Sequence, residues 1–180
     1  PANVLVAATN VHATAVVKLT DFGMARHLQT LTTFRGSEVE GTLLYMAPEV
    51  LKSKKFSPKS DVYSYGILMW EMVSRQEPYS GGEYANLDQF EFPKVKEAGK
   101  LPGDMPTGHP LCAIIEACLI VDHTKRPTAA ALHEQISAVD PRQLPASREP
   151  DMKTIAKRFS AGKLPPACAR QYGLLPPPAD

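Results

Sequence analysis

Asn3 and Asp21 carry hard oxygen donors and lie 18 residues apart. An amide and a carboxylate brought to one place suit a magnesium ion on nucleotide phosphates. Such an ion takes one or two side-chain oxygens and fills its octahedron with water and phosphate. Asp21 opens the triplet Asp21-Phe22-Gly23. Alone, that triplet reads as an aspartate in a glycine turn, and only its surroundings can give it chemistry. The other metal-binding residue types offer less. His12, His27, His109, His123 and His133 are scattered, with no cysteine or carboxylate frame around them, and read as surface or core histidines. Cys112, Cys118 and Cys168 match no zinc or disulfide spacing. The first two, six apart, read as small core residues.

The elements that must position Asn3 and Asp21 are two short β-branched runs, Val4-Leu5-Val6 and Val16-Val17-Lys18-Leu19. Joined by the loop from Ala7 to Ala15, they predict a hairpin that brings the two oxygen-bearing side chains to one end. Residues 24 to 44 are polar, rich in threonine and without a steady period. Long ordered loops in compact domains are usually functional. Ser60 is the expected cap of a helix whose run from Val62 to Val73 is apolar nearly all round, as in the middle of a domain. A weaker helix is expected from about Asn86 to Ala98 and another over Leu111 to Leu119, with Pro110 at its start. A last one, capped by Thr128, is expected over Ala129 to Val139.

The order then runs Gly41-Thr42, Tyr45-Met46-Ala47-Pro48-Glu49, Ser60-Asp61-Val62-Tyr63-Ser64-Tyr65-Gly66 and Arg126-Pro127-Thr128. With Asn3 and Asp21-Phe22-Gly23 ahead of it, this series resembles the eukaryotic protein kinase family over roughly residues 1 to 139. Asp21 to Glu49 spans 29 residues, an acceptable activation segment, and Glu49 to Asp61 keeps the family's offset of 12. The resemblance implies a mainly α fold, the C-terminal lobe of the kinase domain, in which a short β-hairpin precedes a helical bundle. It implies ATP and Mg2+ as cofactors and a protein hydroxyl as substrate. Asn3 and Asp21 would hold the metal, Leu5 would lie under the adenine and Thr20 would line the back of the pocket. Phe22 would be the switch aromatic beside Gly23, and Thr42 would hydrogen-bond towards the catalytic base. Glu49 would pair with Arg126, and Asp61 would hold the catalytic loop. Gly41-Thr42 looks like the serine/threonine type, whereas Asp61 to Gly66 with Trp70-Glu71 looks like the tyrosine-kinase-like group. Cys118-Leu119 and Asp122-His123 depart from the Cys-Trp and Asp-Pro common there.

The family's Gly-rich loop, strand lysine and His-Arg-Asp base have no counterpart in these 180 residues. The expectation is a serine/threonine kinase whose N-terminal lobe lies upstream of Pro1, with this stretch inactive alone. The alternative is a pseudokinase-like binding module. Thr30, Thr32, Thr33 and Ser37 are candidate phosphosites between Asp21-Phe22-Gly23 and Ala47-Pro48-Glu49. Glu38 sits where the resembling kinases often carry a phosphorylated residue.

Composition sets the remaining bounds. With 43% hydrophobic residues the chain can bury a core, and its net charge of +1 calls for neither nucleic acid nor an anionic membrane. The longest apolar stretch, Leu111 to Val121 with Glu116 inside it, is too short to span a bilayer. A cytoplasmic or nuclear address is expected, with reduced thiols. A boundary is expected at 140. Residues 141–180 hold 8 of the 17 prolines and 7 Lys or Arg against 3 Asp or Glu. That composition predicts a mostly disordered basic tail, available to a partner.

Overall fold

Val4–Ala7 (β1) and Val16–Leu19 (β2) form the expected hairpin. They pair antiparallel, with Val4 opposite Leu19 and Ala7 opposite Val16. The computed structural model describes residues 3–7, 16–22, 25, 43–84, 87–88, 90–145 and 160. It divides into two compact units, one of Pro1–Ala25 with Ala146–Asp180 and one of Arg26–Pro145. The hairpin belongs to the first unit. The second is helical, which agrees with the mainly α fold class.

Its described helices are α1 (Pro48–Ser53), α2 (Pro58–Ser74), α3 (Phe92–Glu97), α4 (Cys112–Cys118) and α5 (Ala129–Ser137). The cap of helix α2 lies three residues before the expected one. Pro58 takes the first helical position, where a missing N–H costs nothing. Ser57 caps it, its own N–H donating to Ser60 Oγ at 3.2 Å. Ser60 is therefore the return half of a capping box rather than the cap itself. Thr128 caps α5 as expected, its hydroxyl accepting from the Ala131 N–H at 3.1 Å. The weaker helix forms only over Phe92–Glu97, with Gly82–Tyr84 ahead of it a 3-10 turn.

The core gathers on α2. Ile67, Trp70, Ile115 and Cys118 are almost wholly buried, joined by Val62, Tyr63, Met69 and Leu132. Gly66 lets α2 and α4 approach. A Cβ there would stand 2.6 Å from Cys118 Cβ, closer than carbon atoms can pack. Trp70 settles its indole N–H on the Asp104 carbonyl at 3.3 Å. One stripe of α2 is open: Asp61, Tyr65 and Met72 are exposed.

Candidate functional site

At the open end of the hairpin the ladder continues one step, the Thr20 N–H donating to the Asn3 carbonyl at 3.0 Å. Asn3 thus stands opposite Thr20, and Asp21 is the next residue along. The register brings the two expected metal ligands to one end of the same hairpin, both exposed. Asp21 adopts φ 61°, in the left-handed region, and is not glycine. Aspartate is among the few residues that enter this region, at a cost of about 1–2 kcal/mol. Backbone held there tends to cluster at functional sites. Phe22 follows with 68% of its surface exposed, its carbonyl accepting from the Ala25 N–H at 2.9 Å. Leu5 pairs with Lys18 across the ladder. An amide and a carboxylate at one strand end fit a cation that brings water and phosphate with it. Gly23, Thr30, Thr32, Thr33, Ser37, Glu38 and Thr42 lie outside the described residues, as does the tail apart from 141–145 and Ser160.

In the helical unit, Glu49 and Arg126 meet as the resemblance implied. The guanidinium donates from Nη1 to Glu49 Oε1 at 2.8 Å and from Nη2 to Oε2 at 2.9 Å. The same group donates to the carbonyls of Ile120 (2.7 Å), Lys59 (2.9 Å) and Val121 (3.1 Å). All five of its N–H donors are used. The Tyr63 ring faces it at 4.8 Å. Lys59 in turn donates its ammonium to the Arg126 carbonyl. Glu49 also accepts from Ser60 Oγ at 2.9 Å. Burial pushes the Glu49 carboxyl up, but the hydrogen bonds and charge of Arg126 outweigh it and hold the group below the ordinary glutamate range. Asp61 lies in the first turn of α2. Partial burial raises its carboxyl, and no described residue donates to it.

Four polar groups around Leu43–Met46 escaped the sequence reading. Ser64 Oγ donates to the Tyr45 carbonyl at 2.9 Å, and Tyr45 Oη donates to Glu71 Oε2 at 2.7 Å. Lys96 reaches three carbonyls of the same stretch from α3. Between Lys94 and Glu97, Lys96 reads as one more surface charge. The available signal was its place four residues after Phe92, on the face that turns inward.

A strand hairpin with hard oxygen donors at its end, followed by a helical body locked by a glutamate–arginine pair, has the architecture of a kinase catalytic lobe. The family model for the protein kinase domain matches residues 1–136. The chain belongs to the protein kinase family. It is 37% identical over 117 residues to a putative mitogen-activated protein kinase kinase kinase 7-like protein of Drosophila melanogaster, covering 62% of this chain and 28% of that one. It is 35% identical over 144 residues to the proto-oncogene serine/threonine-protein kinase mos of Mus musculus, covering 77% and 40%. Mitogen-activated protein kinase kinase kinase 11 of Homo sapiens matches over 164 residues at 30%, covering 88% and 18%. The likeness to serine/threonine kinases agrees with the subgroup read from Gly41-Thr42 and Asp61 to Gly66. The chain spans less than half the length of each of these curated relatives. Among the described residues, no helix is long and apolar enough to cross a membrane.

Proposed function

We propose that this chain is the catalytic-lobe part of a serine/threonine kinase that transfers the γ-phosphoryl group of ATP to protein hydroxyls. The observation that carries the reading is the placing of Asn3, opposite Thr20, and of Asp21, the next residue along, at one hairpin end within a matched kinase domain. Magnesium, when bound, neutralises the charge that spreads over the phosphate oxygens. The chain's own part is to present the Asn3 amide and the Asp21 carboxylate where that ion sits. Glu49, Ser60 and Arg126 hold the helical frame and touch no substrate. Without a strand lysine or a proton acceptor of their own, the 180 residues by themselves transfer no phosphate. The use of ATP agrees with an intracellular address.

Asp21→Asn tests this in full-length protein. The substitution removes a carboxylate from an exposed turn and no core volume, so turnover is expected to vanish while the melting temperature stays put. Near-normal kcat in the variant refutes the metal role. A folded wild-type protein that binds partners but transfers no phosphate favours the binding-module alternative.

A further inference from the structure

Every carbonyl of Leu43–Met46 is taken by a side chain of the helical unit. Lys96 Nζ donates to Leu43 O (3.1 Å), Leu44 O (2.7 Å) and Met46 O (2.7 Å), and Ser64 Oγ supplies Tyr45 O. Lys96 is 1% exposed. Its ammonium also faces the rings of Tyr63 at 5.3 Å and Tyr79 at 5.0 Å. Among the described residues no carboxylate pairs with it. Taking an ammonium out of water is expensive unless each of its donors is met, and here three donors meet three carbonyls. Methionine would fill a similar volume without that cost. What lysine adds is direction: one atom, tethered to α3, fixes three carbonyls of a turn that the Met46 N–H closes on Leu43 O at 3.3 Å.

We propose that Lys96 is a positioning residue, a buried cation that fixes the backbone of Leu43–Met46 in the shape phosphoryl transfer to a protein substrate requires. This rests on the kinase reading, in which Leu43–Met46 closes the activation segment before Ala47-Pro48-Glu49. Ordering of that segment governs kinase activity. Phosphorylation usually brings a charge to the segment; here the body supplies one, and this end of the segment is held whether or not it is phosphorylated.

The test is Lys96→Met in full-length protein, with Ser64→Ala as a milder second variant should the first fail to fold. Amide exchange over Leu43–Ala47 is expected to rise on the order of tenfold, the weight of one hydrogen bond, while α2 keeps its protection. In steady-state assays kcat/KM for the protein substrate should fall by a similar factor with KM for ATP unchanged. A merely structural lysine would lower the amount of folded enzyme and leave both KM values alone. Unchanged exchange over Leu43–Ala47 overturns the proposal, and so does faster exchange with kinetics intact. Wild-type protein that transfers no phosphate refutes the kinase reading and the functional half of the proposal, while exchange still decides whether Lys96 holds the segment.

Discussion

Arg126→Met is the sharpest probe of the frame. The side chain of Arg126 is fully buried and that of Glu49 is 14% exposed. Removing the guanidinium leaves the Glu49 carboxylate with Ser60 Oγ as its remaining side-chain donor, and takes a donor from the carbonyls of Lys59, Ile120 and Val121. Breaking a buried pair from one side costs about 3–5 kcal/mol, a large share of the 5–15 kcal/mol typical of a whole domain. At roughly 2–4 °C per kcal/mol for a domain of this size, the melting temperature should fall by about 6–20 °C. Urea unfolding of wild type, Arg126→Met, Glu49→Leu and the double variant measures this as a cycle. The double variant should recover part of the loss, because no unpaired carboxylate remains, yet stay below wild type because the three carbonyls still lack their donor. Acid gives an independent check. A carboxyl held below its ordinary value stabilises the fold above pH 4.5, and the gain is lost as pH falls through the folded value. Arg126→Met should lose that acid-sensitive increment. A loss under about 1 kcal/mol, the ceiling for a surface ion pair, or a cycle with no coupling would refute the reasoning.

Gly66→Ala should destabilise despite alanine's helix propensity. The gain of about 1 kcal/mol is outweighed by roughly 1–3 kcal/mol of overpacking against Cys118 Cβ, which is fixed to its own backbone; a raised melting temperature would contradict this. Burial pushes Lys96 down to about 7, so the cation that meets three carbonyls gives way above that value to an amine with two N–H donors; from there up to 10.5 the unfolded chain binds the extra proton and stability should rise with pH by up to about 1.4 kcal/mol per unit. The titratable groups facing it, Tyr63 and Tyr79, are raised by burial and stay neutral there, so the stability difference from Lys96→Met across pH 7–10 isolates the effect, and a flat difference rules it out. Glu38→Ala in dephosphorylated full-length kinase should lower activity, since the carboxylate supplies about one of the roughly 1.5–2 negative charges of a phosphate; unchanged activity would place control of the segment elsewhere.

The hairpin was legible because strands this short announce themselves by β-branched residues, and with it the placing of Asn3 and Asp21 at one end. The Glu49–Arg126 pair was legible only through the family's motif order, because the partners lie 77 residues apart and neither carries a local signal. The run from Val62 to Val73 in α2 is apolar nearly all round, yet Tyr65 and Met72 within it are exposed. Periodicity measures which residues can be buried, not what lies beside them to bury them. The start of α2 was less legible because two serines flank Pro58 and Lys59, and either could cap. Lys96 was illegible for a physical reason. A charged residue's burial depends on acceptors brought from elsewhere in the fold, and the carbonyls that receive it lie 50 to 53 residues earlier.

Those acceptors give the buried charges their meaning. Lys96, Arg126 and Glu71 are all buried in a body with ample apolar side chains, and burying ionic groups is weak evidence of stabilisation. All three converge on one stretch. Glu71 accepts from the Tyr45 hydroxyl, Lys96 donates to the carbonyls on either side of Tyr45, and Arg126 donates to the Glu49 carboxylate three residues past Met46. An apolar contact tolerates sliding by an ångström, whereas a hydrogen bond weakens steeply once distance or angle departs from its narrow range. Residues 43 to 49 are thus held at several points by directional bonds from α2, α3 and the turn before α5. In the kinase reading, this is where a substrate-facing segment must return to the same geometry in every turnover.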